Sequence, residues 1–382
     1  MTENKDQLVI VGAGIAGLSL AIQLAEKNVY CIVLEERHNF DGATSGVRIS
    51  IQGVKILEKM NIRNVGEPTE IIIMHYGSIK ADFSLNNPKG ASPAIIVTRF
   101  SIHEKLMERV NQLGIKIING FNVVNAVEST DGVEITSESG QIIKGKFLVG
   151  ADGVGSKVRK ILNPNQNSGK TYAGYLGVGM ITPYDKKIEM SLYSHPKNSV
   201  GVASIGKVSS VELNNNVFLW THIHITEDQA KSMTDEKIIE MIEAQSKNWS
   251  TELKTLFVKA KSNPKTIIAH GAVYNGKVPT NWYSDKMILI GDSAHPYGPG
   301  GQGISMALKD AESLCNLILT DMSEEKKAIF QKVRAEEAKS FGECAEERNK
   351  PENQLTSYWG IFFKGIIMKL YHIYNRGVLK SL

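Results

Sequence analysis

The chain is poor in cysteine and has no strong excess of either charge. Its three cysteines, Cys31, Cys315 and Cys344, lack the short spacing of a metal-binding or redox motif, and their odd number argues against a disulfide framework. The formal net charge is only +4, and the basic residues are scattered along the 382 positions. We therefore expect neither a nucleic-acid-binding protein nor a secreted disulfide scaffold, and the reducing cytoplasm is the predicted compartment.

Long apolar runs are also missing. The most apolar long stretch, residues 359–374, is interrupted by Lys364, Lys369 and His372 and is shorter than the roughly 20 residues that span a bilayer. We expect a terminal helix there, either packed against the protein or lying on a membrane surface, and no stable membrane insertion. Residues 1–7 are polar and lack the basic, apolar and small-residue order of a secretion signal.

What the chain does contain is length and glycine. Its 382 residues exceed what most single compact cores need, so we expect two domains of unequal size. A hydrophobic content of 42% and a charged content of 22% are typical of an ordinary globular α/β protein. The 34 glycines are informative where they cluster.

The first cluster predicts a strand, a tight turn and a helix. An apolar run ends in Gly-Ala-Gly-Ile-Ala-Gly at residues 12–17, and a second apolar run then ends at Glu35. The glycines meet three requirements: a tight turn at Gly12, approach of a pyrophosphate to the backbone at Gly14, and close helix packing at Gly17. Glu35 is expected to bind a ribose without a 2′-phosphate. NAD enzymes, FAD enzymes and some loops without a ligand share this motif.

The apolar periodicity changes further along the chain. Short strands lead to one of the parallel type that ends at Gly150. Between about 172 and 270 the alternation predicts a mostly antiparallel second domain, interrupted by a helix around 235–246. A parallel-type strand returns at 287–290, and the chain beyond 305 is predicted to be helical.

Two further glycine-rich motifs follow strands of the parallel type. Residues 150–159 read Gly-Ala-Asp-Gly-Val-Gly-Ser-Lys-Val-Arg, and residues 291–303 read Gly-Asp-Ser-Ala-His-Pro-Tyr-Gly-Pro-Gly-Gly-Gln-Gly, followed by Asp310 and Ala311. Together with the first motif, they resemble the three signatures of the class A flavoprotein monooxygenases, the family of para-hydroxybenzoate hydroxylase. The resemblance implies an α/β fold with a Rossmann-like FAD-binding domain, a mostly antiparallel β substrate domain and a C-terminal helical segment.

The resemblance also implies roles for individual residues. Asp292 would accept hydrogen bonds from the ribityl hydroxyls of FAD, and the helix after Gly303 would point its N-terminus at the isoalloxazine carbonyls. Arg99 would reach the phosphates or the ribityl chain, unless it is a surface arginine. Asp152 and Arg159 would serve the flavin region and pyridine-nucleotide access, or form an internal pair that stabilises their own loop.

The predicted cofactor-binding residues are Gly12, Gly14, Ala16, Gly17, Glu35, Glu36, Arg48, Arg99, Asp152, Asp292, Pro299, Gly301, Gln302 and Gly303. One stretch departs from the family, because Ile51-Gln52-Gly53 stands where many relatives have Pro-Asn-Ala. The loop that contains Arg48 is therefore expected to differ beside the flavin.

The resemblance implies a reaction as well. FAD would be reduced by NAD(P)H and react with O2 to a C4a-hydroperoxide, which inserts one oxygen into a small aromatic or heterocyclic substrate. Baeyer–Villiger-type oxidation of a natural product or antibiotic, a flavin reductase or dehydrogenase, and a non-catalytic flavin-binding protein stay open. No catalytic or metal-binding residue is predicted; Tyr297, His222 and Tyr193 are either pocket or packing residues.

The expected domain division follows from these motifs. The FAD-binding domain would comprise 1–72, 98–175 and 275–325, and the substrate domain 73–97 and 176–274, followed by C-terminal helices at 326–382. The expected partners are a small-molecule substrate and O2, in a monomer or homodimer.

Overall fold

The computed structural model describes residues 7–39, 45–84, 92–167, 169–195, 198–206, 215–247, 249–297, 301–349 and 357–380. Its strands are β1 Leu8–Val11, β2 Cys31–Glu35, β3 Gly46–Ile49, β4 Glu67–Thr69, β5 Ile71–Tyr76, β6 Ile79–Ser84, β7 Ala94–Thr98, β8 Lys116–Asn119, β9 Val123–Ser129, β10 Gly132–Ser137, β11 Ile142–Gly145, β12 Phe147–Gly150, β13 Lys170–Pro183, β14 Met190–His195, β15 Asn198–Ile205, β16 Asn216–His224, β17 Ile267–Gly276 and β18 Met287–Leu289. Its helices are α1 Ile15–Ala25, α2 Ile51–Lys59, α3 Arg99–Gln112, α4 Lys157–Leu162, α5 Glu227–Lys231, α6 Asp235–Ser246, α7 Thr251–Ser262, α8 Gly303–Thr320, α9 Glu324–Asn349 and α10 Tyr358–Lys380.

A five-stranded parallel sheet forms the centre of the first half of the fold. Its order is β18-β12-β1-β2-β8, and every neighbouring pair is parallel. β1, β2, β12 and β18 are buried along their whole length, as expected for strands covered on both faces. The chain leaves β1 toward β2 and returns on the other side at β12, so the strand order reverses there. Ligands of such sheets bind at the carboxyl ends of the strands at this reversal.

A seven-stranded sheet forms the second half. Its order is β17-β13-β16-β15-β14-β5-β6, antiparallel except where β5 pairs with β14. Side chains alternate between its faces. One face packs on α6 and α7 through a cluster that includes Val217, Leu219 and Ile223. The other face carries Phe218 and Trp220 and packs partly on Ile96 of β7.

A small antiparallel sheet, β3-β7-β4, connects the two halves. A Cβ built on Gly46 of β3 would lie 2.3 Å from the Phe218 ring, so only glycine lets this strand approach the large sheet so closely. β9, β10 and β11 form a separate antiparallel sheet beside α4. The two halves therefore meet at β3, β7 and the face of the large sheet that carries Phe218.

The helices of the second domain are more numerous than the sequence predicted. The helix expected around 235–246 is α6, but α5 and α7 flank it. The sequence contained a signal for α7: Ser250 caps it, and Leu253, Leu256 and Phe257 recur with helical spacing. None of the described helices is long and apolar enough to cross a membrane.

Candidate functional site

In the turn between β1 and α1, the packing of the protein requires two of the glycines but not the third. Gly12 has φ +107°, and a Cβ there would lie 2.4 Å from the Ala151 carbonyl oxygen. A Cβ on Gly17 would lie 2.0 Å from the Gly12 oxygen, so α1 packs directly on the turn. A Cβ on Gly14 would meet no protein atom within 4 Å. Packing does not explain Gly14, whereas the approach of a ligand to its backbone does.

Helices α1 and α8 begin without a side-chain cap. Each helix from α2 to α7 starts after a Ser or Thr whose hydroxyl accepts a hydrogen bond from the third backbone N–H of the helix. α1 begins after Gly14 and α8 after Gln302, and neither residue provides such a bond. The first N–H groups of these two helices are therefore available to negatively charged or carbonyl oxygens.

Glu35 lies at the end of β2 and is hydrogen-bonded to the glycine turn. Its carboxylate accepts from the backbone N–H of Ala13 at 2.8 Å and of Arg37 at 3.1 Å. His103 of α3 contacts the same turn, with Nε2 2.9 Å from the Ala13 oxygen. Each carboxylate oxygen accepts more than one hydrogen bond, so Glu35 keeps capacity for ribose hydroxyls. Glu36, the next predicted residue, is exposed.

Asp152 and Arg159 stabilise the second motif separately. The Asp152 carboxylate accepts from the Ser156 hydroxyl at 2.5 Å and from the backbone N–H of Lys157 at 2.7 Å, so it helps to cap α4. Burial raises the pKa of Asp152, and these hydrogen bonds oppose the shift. The buried Arg159 guanidinium instead donates to the carbonyl oxygens of Asp292 at 3.1 Å and Ser293 at 3.0 Å.

The three motifs meet at the carboxyl edge of the parallel sheet. Gly12 lies against Ala151 of the second motif, and Arg159 joins that motif to the carbonyls of the third. Gly291 of the third motif has φ +62°, and a Cβ there would lie 2.9 Å from the Cβ of Ala16. Segments separated by more than 100 positions thus form one site.

Asp292 projects from this junction. Asp292 is half-buried, and its carboxylate accepts no hydrogen bond from the residues that the structure describes. Burial raises the pKa of Asp292, and the positive charges of His295, Arg99 and Arg159 oppose the rise. Arg99, the first residue of α3, is therefore close enough to influence Asp292 electrostatically.

A buried ionic network lies behind Asp292. Asp310 of α8 accepts from Nε of Arg334 at 2.6 Å and from the backbone N–H of Gly291 at 2.7 Å, and it lies 2.6 Å from Nε2 of His295. Burial opposes the His295 cation, but the Asp310 carboxylate raises the net pKa of His295. Burial likewise opposes the Asp310 anion, but His295 and Arg334 lower the net pKa of Asp310. This network fixes α8 and α9 to the turn that carries Asp292.

Arg48 lies at a cavity beside the start of α8. The cavity has a volume of about 420 Å³, and its lining includes Arg48, Ser50, Gln52, Gln302, Lys309 and Phe341. Burial lowers the pKa of Arg48. The departing stretch Ile51-Gln52-Gly53 forms the first turn of α2, which is joined to α8 because the Ser50 N–H donates to Oγ of Ser305 at 2.9 Å.

The three pocket candidates lie in three different places. His222 is on the face of the large sheet that carries Phe218, half-buried, with its ring 4.5 Å from that of Tyr175. Tyr193 is on the helix-covered face, where it stacks on His75 at 3.9 Å. Tyr297 lies against Gly342 of α9, at which a Cβ would touch the ring.

The remaining predicted residues belong to the loop before α8. Gly301 has φ +77°, and Cβ atoms on Gly301 and Gly303 would meet no protein atom within 4 Å. Pro299 lies outside the described residues. Sequence reasoning missed Arg334, which follows the third motif by many residues and belongs to no local pattern.

The chain is similar to proteins of known chemistry. A family model described as FAD binding domain matches residues 5–347. The chain is 24% identical over 340 residues to 3-amino-4-hydroxybenzoate 2-monooxygenase PtmB3 of Streptomyces platensis, covering 83% of this chain and 81% of that protein. It is 25% identical over 344 residues to 3-hydroxybenzoate 6-hydroxylase 1 of Aquipseudomonas alcaligenes, covering 81% and 79%.

A solved structure shows the same fold. HpxO of Klebsiella pneumoniae, in complex with FAD and uric acid, superposes with a TM-score of 0.77 at 17% sequence identity. The match covers 91% of this chain and 88% of that chain.

Proposed function

We propose that this chain, which belongs to the FAD binding domain family, inserts one oxygen atom of O2 into a small aromatic or heterocyclic compound, with NAD(P)H as the electron donor. Proteins similar to it include a 3-amino-4-hydroxybenzoate 2-monooxygenase and a 3-hydroxybenzoate 6-hydroxylase. One observation carries the proposal: helices α1 and α8, which begin without a side-chain cap, pack together and begin at the same sheet edge. Between them Asp292 presents a carboxylate without a hydrogen bond among the described residues.

The residues at this edge fit the successive parts of FAD. The N-terminus of α1 would bind the pyrophosphate and Glu35 the adenosine ribose, with Gly14 allowing close approach. Asp292 would accept hydrogen bonds from the ribityl hydroxyls, and Arg99 would contribute positive charge beside it. Bound FAD supplies the redox and oxygen chemistry that side chains lack. The free N–H groups of α8 would stabilise negative charge on the carbonyl end of the reduced cofactor.

The substrate is proposed to bind on the face of the seven-stranded sheet that carries Phe218. Trp220 and His222 are only half-buried there, and the Trp220 ring is stacked on Phe218 with a centroid distance of 5.0 Å and an angle of 18°. The Trp220 indole packs directly on Gly201, where no side chain fits, because a Cβ there would lie 2.0 Å from the indole. A flat aromatic surface of this kind favours a planar substrate. Two relatives are named for hydroxybenzoates, which are planar aromatic compounds.

We also propose that the two halves of the fold bind different molecules. Segments 1–72, 98–175 and 275–325 would bind FAD, and segments 73–97 and 176–274 would hold the substrate. In this division NAD(P)H binds transiently, because the sequence contains one dinucleotide-binding βαβ unit and no second.

The proposal is tested with the FAD-loaded enzyme. Oxidation of NADH and of NADPH is followed against a panel of aromatic and heterocyclic compounds under isotopically labelled O2, and product mass and structure are determined. A product with one labelled oxygen on an intact ring supports the proposal. An oxygen inserted into a carbon–carbon bond indicates Baeyer–Villiger chemistry. NAD(P)H oxidation without an oxygenated product indicates a reductase, and protein that binds no FAD contradicts the proposal.

Two candidate residues give a matched test of the substrate face. His222→Ala is expected to raise KM for the substrate, because the ring lies beside Trp220 on the face that carries Phe218. Tyr193→Phe serves as the control, because Tyr193 packs on His75 on the opposite face. Equal effects of the two substitutions on KM would contradict the proposed location.

A further inference from the structure

The C-terminal helix α10 is apolar on two sides, but the protein covers only one of them. Its inner side packs on β5 and β6 with Ile361 buried, and a Cβ on Gly365 would lie 2.6 Å from the Cβ of Tyr76. A helix with apolar residues all round is normally buried all round. We therefore expect the outer side of α10 to bind a partner.

Four large apolar side chains form the outer stripe of α10. Their exposed fractions are 72% for Trp359, 58% for Phe363, 65% for Ile367 and 61% for Leu370. The spacing of four, four and three residues puts them in one row along the helix. Single exposed apolar residues are common on soluble proteins, but a continuous row with two aromatic rings marks an interaction surface.

The charge of α10 has one sign only. The helix contains Lys364, Lys369, Arg376 and Lys380 and no Asp or Glu. Lys364 and Lys369 are exposed beside the outer stripe, and neither has an ion-pair partner among the residues that the structure describes. Two copies of such a helix would repel each other, whereas an anionic surface would attract it.

We propose that the outer stripe of α10 docks this protein on an anionic lipid surface. Tryptophan, phenylalanine and leucine on one side, with flanking lysines, are the features of helices that lie in the plane of a membrane interface. The lysines and the packed inner side restrict α10 to lying on the surface. The helix also lies beyond residues 5–347, which match the family, so docking is a property of this chain's own C-terminal segment. It does not depend on the proposed oxygenase reaction.

The test measures binding of the full-length, FAD-loaded protein to lipid vesicles. Vesicles of equal parts phosphatidylcholine and phosphatidylglycerol are expected to co-sediment the protein, and vesicles of phosphatidylcholine alone much less. Trp359 emission is expected to shift to the blue on binding, because its indole leaves water. Trp249 and Trp282 are buried in the fold, and Trp359→Phe should remove the shift while leaving the half-buried Trp220 in place.

Substitutions separate the apolar and the basic contributions. Trp359→Ser with Phe363→Ser is expected to abolish co-sedimentation. Lys364→Gln and Lys369→Gln are each expected to weaken binding by about fivefold, because a lysine near an anionic surface contributes about that factor. Val258→Ser is the matched control, since Val258 is 61% exposed on α7.

Thermal unfolding with FAD is compared for every variant, so that a loss of binding is not confused with a loss of folding. Co-sedimentation that survives the double serine substitution, or that is absent with phosphatidylglycerol present at low salt, would overturn the proposal. Sedimentation velocity gives an independent check. A dimer that forms without lipid and is lost in the double variant would also overturn it, in favour of a second copy of the chain.

Discussion

Alanine at Gly14 and alanine at Gly17 should have opposite consequences for cofactor binding and for stability. The backbone at Gly14, with φ −80° and ψ −175°, is accessible to alanine, and a Cβ there meets no protein atom within 4 Å. The only cost to the FAD-free protein is a poorer helix N-cap, which is worth up to about 1 kcal/mol. A methyl group at Gly14 would, however, occupy the space into which the pyrophosphate must come.

The magnitude for Gly14→Ala follows from mass action. FAD at a hundredfold excess over its Kd stabilises the wild-type protein by about 2.7 kcal/mol. If the methyl group weakens binding tenfold, the same FAD concentration stabilises the variant by only about 1.4 kcal/mol. We expect at least this loss, measured as the FAD Kd by fluorescence titration and as the stabilisation by FAD in urea unfolding.

Gly17→Ala tests the protein's own packing. Helix propensity alone would make alanine more stable by about 1 kcal/mol. The structure predicts the reverse sign, because the added Cβ would lie 2.0 Å from the Gly12 oxygen, which is backbone and cannot rotate away. Overpacking typically costs about 1–3 kcal/mol. We expect the FAD-free variant to be less stable than wild type in urea unfolding.

Two results would refute this reasoning. Gly14→Ala with an unchanged FAD Kd would show that no phosphate approaches the turn. FAD-free Gly17→Ala as stable as the wild type would show that α1 does not pack on the turn as described.

Three further predictions concern charged residues. Asp292→Ala should weaken FAD binding by about tenfold to a hundredfold, since a hydrogen bond to a charged group contributes roughly 1.5–3 kcal/mol; protein that stays fully yellow after dialysis would contradict this. Asp310→Ala should lower the free energy of unfolding by about 3–5 kcal/mol, because it leaves His295 buried without its carboxylate and Arg334 with only Glu337 as a partner. The pKa of His295 is raised and that of Asp310 is lowered. The attraction between the two side chains is therefore lost as the pH rises through the pKa of His295, and also as the pH falls through the pKa of Asp310. Urea unfolding should therefore show the largest deficit of Asp310→Ala between about pH 4 and 6.5, and a deficit that does not shrink at alkaline pH would contradict the His295 contribution. Arg159→Lys should lower thermal stability, since one ammonium cannot reproduce the guanidinium's bonds to several carbonyls, and an unchanged melting temperature would show that these bonds contribute little.

Local pattern was sufficient to predict much of the fold. The family resemblance and the α/β fold class are confirmed, because each motif combines an apolar strand with a glycine turn and a helix start within about 20 residues. The helix α6 was predicted at its observed place for the same reason. Helices α5 and α7 were not, because they lie between strands β16 and β17, whose alternation dominates the pattern.

Other features had no local signal. Arg334 pairs with Asp310 across two helices, and nothing near either residue in the sequence indicates the partner. Among the described residues no hydrogen bond joins Asp152 to Arg159; Arg159 donates to carbonyls of the third motif and to those of Gly153 and Val154 in its own loop. Such partners are set by how helices and turns pack, which residue type and spacing do not specify.

The sequence by itself determined that this chain has three glycine-rich turns after buried strands, and hence a family, a fold class and a resident cofactor. These are consequences of steric demands within a few residues. Only the tertiary structure decided that His222 lies on the face of the large sheet that carries Phe218 and Tyr193 on the face covered by helices, or that one side of α10 stays exposed. In a half-buried strand or helix the pattern shows which residues share a face, but what that face meets depends on elements far away along the chain.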